Sequence, residues 1–366
     1  MTWRNRVEVS YRALRRNVAA VRAAAGGRTV VAVVKADAYG LGLERCVRIY
    51  HEAGITAFAV AALTEADRVR AAVPEARVIL LSSPLPEERP AVVASAYEVC
   101  CSGADEVRAF AALASPRAPH PIHVLIDTGM GRFGCGPDEA VAVAAAALAD
   151  RRLRLAGIAT HYPMATAPDL AEAQERLFAN ILSHLPALPK DCLIHVANSE
   201  GVLVRPGLLG NAVRCGLLLA GIVPEDCPDP GVEQALTWVS SLSLVKRLPA
   251  GHGVSYNRTR ILSRDTLAGI LPVGYADGYP LALSNRGAVL IRGRRCPVLG
   301  RVTMDYCIVD CTDLEAPLVA PGEPVVLCGR QGAEQISVVE LARLAGTIPY
   351  DILCGLRGRC EVVGVP

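Results

Sequence analysis

No stretch of this 366-residue chain approaches the roughly 18–20 consecutive apolar residues that a bilayer-spanning helix needs. The amino terminus, MTWRNRVEVSYRALRRN, lacks the apolar core of a secretory signal. An excess of one charge is lacking as well. With 38 basic residues against 36 acidic ones, no general field draws nucleic acid or an anionic membrane to the chain. CxxC pairs are absent among the 13 cysteines, an odd number that cannot pair completely within one chain. Adjacent Cys100 and Cys101, and then Cys307 and Cys311, match no common zinc arrangement, and no metal site is expected. Most cysteines sit in apolar runs such as YEVCCS and CLIHVA, where a free thiol behaves as a small hydrophobe and reduced thiols suit the cytoplasm. A hydrophobic content of 52% excludes disorder. The chain reads as a soluble cytoplasmic protein, long enough for two domains.

From residue 29 to about 222 one pattern repeats: a short apolar run, a polar turn, then a helical stretch. The runs TVVAVVKA, AFAVAA, RVILLS, YEVCCS, PIHVLID, LRLAGIATH, CLIHVAN and AVRCGLLLAG are apolar throughout, as parallel strands covered on both faces are. Thr64 with Asp67 and Ser102 with Asp105 have the spacing of helix N-caps followed by an acid. This alternation predicts a (β/α)8 barrel over 1–230. An open doubly wound sheet is the second choice, but no GxGxxG follows the first strand. After about residue 235 short strands alternate with Gly/Pro turns, broken by one helix, SVVELARLAG, where Ser337 and Glu340 have capping-box spacing. A mostly β domain over 231–366 follows, joined through PEDCPDPG.

The chemistry of such a barrel belongs at the carboxyl ends of its strands. Lys35 ends the first strand after five apolar residues, where desolvation lowers its pKa and makes it a nucleophilic amine or Schiff-base former. A snorkelling lysine is the plainer alternative. The small-residue loop Asp37-Ala38-Tyr39-Gly40-Leu41-Gly42 that follows suits close approach of a ligand. Arg132, in the glycine-rich DTGMGR after the fifth strand, can donate to an anion or phenolate in the mouth. His161 ends the sixth strand as packing partner or ring contact, Asn198-Ser199 ends the seventh, and Arg214-Cys215-Gly216 lies in the eighth. The loops after strands seven and eight form the recurring phosphate site of these barrels. The Ser199 hydroxyl and the Gly216 and Leu217 amides are suitable donors there.

VVAVVKADAYGLG, DTGMGRFG, HVANSEG, VRCGLLLAG, VSYN, LPVGYADGYP, GRVTMD and TIPYDILCG occur in this order, and in this the chain resembles bacterial alanine racemases over nearly its whole length. The resemblance implies a fold-type III pyridoxal 5'-phosphate (PLP) enzyme supplying D-alanine for peptidoglycan. It also implies a head-to-tail homodimer whose sites join the barrel of one subunit to the β domain of the other. By that resemblance Lys35 matches the lysine that carries the cofactor, and Tyr256 matches the opposing acid/base given by the partner subunit. Tyr39, Ser199, Gly216, Leu217 and Tyr350 match the phosphate-binding group, Asn198 lies beside it, and Arg214 matches the arginine facing the pyridine nitrogen. His161 matches a residue near the ring. Arg132 and Met304 match the substrate-carboxylate contacts, and Tyr275 and Arg301 the entry channel.

The chain also departs from the family. Many members carry a carbamylated lysine two residues before the aspartate of DTGMGR, bonded to the arginine; here Leu125 stands there. His161-Tyr162-Pro163-Met164 replaces the usual Phe-Ala after the histidine, VRCGLLLAG lacks a tyrosine near its end, and LRGRCEVVGVP lacks RVPR. These changes fall on the substrate side, leaving serine or a broader set of small amino acids as the alternative to alanine. A fold-type III decarboxylase would place an acid, not Arg214, against the pyridine nitrogen. A PLP carrier would not need the β domain. A lysine Schiff-base aldolase would lack the absorbance band of PLP.

Overall fold

The computed structural model describes residues 4–205, 207, 209–314, 319–356 and 359–366. Strand β1 (Asn5–Ser10) and helix α1 (Tyr11–Ala24) precede a closed barrel of eight parallel strands. These are β2 (Thr29–Val33), β3 (Ala57–Val60), β4 (Arg77–Leu80), β5 (Glu98–Cys101), β6 (His120–Leu125), β7 (Leu153–Ala159), β8 (Leu193–His195) and β9 (Ala212–Cys215). Closure comes where β2 pairs with β9 through Thr29–Ala212 and Val31–Arg214. Every one of the eight expected apolar runs supplies a barrel strand, and helices cover the outside, as double-sided burial requires. The helices are α2 (Leu43–Glu52), α3 (Leu63–Ala72), α4 (Arg89–Ala94), α5 (Ala104–Leu113), α6 (Pro137–Ala149), α7 (Pro168–Ser183) and α8 (Ser199–Val204). None is long and apolar enough to cross a membrane.

Two expected caps are placed differently. The N-caps of α3 and α5 are Ala62 and Gly103, so Thr64 lies inside α3 and Ser102 precedes the cap of α5. An acid in the first turn does the capping in both. Glu65 accepts from the Ala61 and Ala62 amides at 3.0 and 3.2 Å, and Glu106 from the Ser102 amide at 2.6 Å. A carboxylate there satisfies orphan amides and meets the positive end of the helix.

The remainder is built from β10 (Leu236–Ser241), β11 (Leu244–Leu248), β12 (Gly253–Val254), β13 (Arg260–Ile261), β14 (Thr266–Leu271), β15 (Ala288–Ile291) and β16 (Arg294–Pro297). It continues with β17 (Cys307–Asp310), β18 (Pro324–Gln331), β19 (Glu334–Ile336), α9 (Val338–Ala345), α10 (Pro349–Gly355) and β20 (Glu361–Val365). Its main sheet runs β16-β15-β18-β10-β1-β20, with β19 on β18. Strand β1, expected to lie within the barrel segment 1–230, belongs to this sheet instead, antiparallel to β10 and parallel to β20. Its buried Val7 and Val9 join one continuous core with the barrel. At α9 the Ser337 hydroxyl accepts from the Glu340 amide at 3.0 Å, while the Glu340 carboxylate turns outward to Arg295. All 13 cysteines are free, and all but Cys227 and Cys354 are buried.

Candidate active site

Lys35 follows β2 half-buried, and desolvation with the nearby Arg132 lowers its pKa. Behind it the chain makes a left-handed turn: Ala36, Asp37, Ala38 and Tyr39 have φ of 52°, 57°, 53° and 58°. Such a run of non-glycine residues costs about 1–2 kcal/mol each and persists only where its surroundings enforce it. Glu65 Oε1 accepts from the Ala36 amide at 2.6 Å. Asp37 Oδ1 accepts from the Leu43 amide at 3.1 Å and from Arg68 Nη2 at 2.6 Å. The sequence presented this segment as a small-residue loop, in which Gly40 (φ 80°) and Gly42 (φ 90°) also take positive φ.

The turn delivers Tyr39 into the barrel mouth. Gly216 makes room for it, since a Cβ at Gly216 would lie 2.3 Å from the Tyr39 hydroxyl. The Gly216 and Leu218 amides donate to Ser199 Oγ at 3.2 and 3.4 Å, with buried Leu217 between them. Asn198 caps α8, accepting from the Gly201 amide at 2.8 Å, and so fixes the turn that holds Ser199. Tyr350, on α10 of the β domain, sets its ring edge-on to Tyr39 at 5.4 Å between centroids. Burial raises both phenols, Tyr350 to about 12, so each keeps its proton for donation.

Arg214 is buried on β9, and burial brings its pKa down to about 10, so it remains a cation. Among the described residues no carboxylate lies within ion-pair distance of it. It donates instead to the carbonyls of His195, Thr160 and Val196 at 2.8, 2.9 and 3.0 Å, to His195 Nδ1 at 2.7 Å and to His161 Nδ1 at 3.0 Å. Burial, then Arg214, Arg132 and Lys35, lower His161 to about 3, and the neutral ring can accept that bond. His195 is a contact the sequence did not single out: one histidine in an apolar strand looks like ordinary packing.

In DTGMGR, Asp127 accepts from the amides of Gly129, Met130 and Gly131 at 2.9, 2.8 and 2.9 Å. Burial opposes ionisation, but these donors hold the carboxyl below its usual range. The loop is thus folded by Asp127, and exposed Arg132 lies with its guanidinium 5.9 Å from the Phe133 ring centroid. Leu125, half-buried, packs against the core.

A second group of expected residues gathers on the β domain. Ser255 donates to the Arg301 carbonyl at 2.6 Å, and the Tyr275 and Ala276 amides bond the Thr303 and Met304 carbonyls at 3.0 and 3.1 Å. Tyr256, flanked by positive-φ Ser255 and Asn257, is 69% exposed, and Met304 is 53% exposed. Among the described residues no hydrogen bond, ion pair or ring contact joins this group to Lys35, Ser199 or Arg214. Tyr350 alone of the expected β-domain residues meets the barrel group within the chain.

The donor set at the barrel mouth fits PLP: Lys35 for covalent attachment, a hydroxyl-and-amide cradle emptied of a side chain at Gly216, and a buried cation with no carboxylate partner. Residues 9–224 match the family model described as alanine racemase, N-terminal domain, and residues 235–363 match alanine racemase, C-terminal domain. An alanine racemase of Symbiobacterium thermophilum is 36% identical over 374 residues, covering 98% of this chain and 95% of that one. The alanine racemase structure from Bartonella henselae with covalently bound pyridoxal phosphate superposes with a TM-score of 0.91 at 25% identity, covering 100% of both chains. That from Bacillus anthracis, with bound L-Ala-P, has a TM-score of 0.87 at 30% identity, covering 98% of this chain and 94% of the other.

Proposed function

The chain belongs to the alanine racemase family, and from that premise we propose that it interconverts L- and D-alanine with PLP held on Lys35. The observation that carries this reading is the convergence of a half-buried, pKa-lowered Lys35 with the Ser199–Gly216–Tyr39 cradle and Arg214 at one barrel mouth. Ser199, Tyr39, Tyr350 and the amides around Leu217 would hold the cofactor's phosphate. Arg214 would face its pyridine nitrogen, with His161 and Asn198 ordering the residues beside it. When bound, the cofactor serves as an electron sink that acidifies the substrate's α-carbon.

Racemisation then needs proton carriers on both faces of that carbon, because a single base returns the enantiomer it took. Lys35 holds or releases a proton at Nζ on one face. Tyr256 of the partner subunit supplies the other, and Met304 comes from the same β domain. Arg132 and the Met304 amide bind the substrate carboxylate, and Tyr275 and Arg301 flank the entry. Arg214 gives up a proton with difficulty, so with the cofactor bound it would leave the pyridine nitrogen unprotonated and would favour return of the α-proton over side reactions. The product is D-alanine for peptidoglycan, made in the cytoplasm. Serine is the second substrate, because a small apolar pocket rejects one added hydroxyl by only about a hundredfold.

Turnover of L-alanine and L-serine by the purified enzyme tests this reading, together with borohydride reduction and peptide mapping. D-alanine formation faster than D-serine formation, with the reduced label on Lys35, is the expected outcome. Absence of D-alanine, faster turnover of serine, or a label on another lysine contradicts it.

A further inference from the structure

A continuous line of polar side chains crosses the apolar interior of the barrel. Glu98 begins β5 at the end of the barrel remote from Lys35, and its Oε2 accepts from His123 Nε2 at 2.7 Å. His123 Nδ1 meets His195 Nε2 at 2.9 Å, and His195 Nδ1 meets Arg214 Nη1 at 2.7 Å. The three acid and imidazole side chains are all buried. The barrel leaves space for the line: a Cβ on Gly157 of β7 would lie 2.1 Å from His123 Nδ1. At the far end Arg77 bonds both carboxylate oxygens of Glu98, at 2.5 and 2.9 Å.

The proton positions along this line are fixed from both ends. Arg214 can only donate, and an ionised Glu98 can only accept. Burial works against that charge, yet His123 and Arg77 bring Glu98 down to about 2. Two neutral imidazoles satisfy all three hydrogen bonds in one way only: each carries its proton on Nε2. A protonated or tautomerised ring anywhere in the line would set two donors, or two acceptors, against each other. Burial keeps both rings neutral.

We propose that Glu98, His123 and His195 are positioning residues that fix the Arg214 guanidinium and polarise its Nη1–H toward Glu98, weakening Arg214 as a donor to the ring nitrogen it faces. The inference rests on the proposed role of Arg214. None of the three touches cofactor or substrate; they act through Arg214, by the same logic that lets outer hydrogen-bond partners tune the groups that touch a cofactor. Sequence spacing does not reveal the line, since 25 residues separate its first pair and 72 its second.

The test uses the holoenzyme labelled with 15N-histidine and two variants. Glu98→Gln removes the charge at constant shape. His123→Leu breaks the line but leaves Glu98 paired with Arg77, so no buried charge is stranded. Wild-type His123 and His195 are expected to show the neutral Nε2–H tautomer in the 15N spectrum. Both variants are expected to lower kcat about tenfold with KM changed by less than about twofold. More pyridoxamine 5'-phosphate is expected to accumulate per turnover, because a stronger donor opposite the ring nitrogen prolongs the carbanion. A merely structural role would not raise that ratio. An Nδ1–H or cationic state at either histidine overturns the proposal, as does an unchanged side-product ratio in the variant that folds. Failure of the racemase reading would show separately, as a wild type that makes no D-amino acid while its tautomers stand as assigned.

Discussion

Leu125 stands where the family resemblance implies a carbamylated lysine bonded to Arg132. A leucine side chain can neither take up carbon dioxide nor accept a hydrogen bond, and the nearest acid in the loop, Asp127, is engaged with three backbone amides. Arg132 is left exposed over Phe133, free to meet a substrate carboxylate or a solution anion. Wild-type activity is therefore expected to be independent of added bicarbonate, with at most a modest response to chloride. In Leu125→Lys, bicarbonate is expected to change kcat/KM, because the new amine would restore the carbamylated lysine that the family resemblance pairs with Arg132. Steady-state assays of both proteins with and without bicarbonate check this. A wild type that depends strongly on bicarbonate would mean that another lysine does this work.

The element that most determines the site is the left-handed turn after β2. Four residues carry its strain of about 1–2 kcal/mol each, and Glu65, from the first turn of α3, holds it by accepting from the Ala36 amide. Glu65→Ala frees that amide and the two capping amides of α3, Ala61 and Ala62. The expected outcome is a PLP dissociation constant raised about tenfold with a lower Tm, Glu65→Gln falling between. Cofactor titration by absorbance checks it, and an unchanged dissociation constant would show that the turn holds itself. The barrel strands were legible in the sequence because burial on both faces leaves continuous apolar runs. The turn was not, since Ala36 and Ala38 disfavour positive φ, Asp37 merely tolerates it, and the restraint comes from another helix. The caps of α3 and α5 were misread for a related reason: Thr64 and Ser102 match the pattern, but Glu65 and Glu106 make the bonds. Lys35, Ser199 and Arg214 could be placed from strand ends and motifs. His123 and His195 could not, because only closure of the barrel brings them together.

Across the whole molecule, the two ends of the chain meet in one sheet, where β1 lies between β10 and β20 and fastens the barrel to the β domain. That arrangement brings Tyr350 to Tyr39 within one chain but leaves Tyr256 and Met304 uncovered on the β domain. Among the described residues no hydrogen bond, ion pair or ring contact joins Tyr256 to Lys35 within one chain, and under the proposed function the two would meet between two copies. Under the proposed function each site takes Lys35 from one chain and Tyr256 from the other. The most direct test is to mix two inactive homodimers, Lys35→Ala and Tyr256→Phe, and measure alanine racemisation after subunit exchange verified by mass spectrometry. Shared sites give each heterodimer one intact site, so about a quarter of wild-type activity is expected from equal, freely exchanging subunits; no recovery after verified exchange would mean that the sites are not shared between chains.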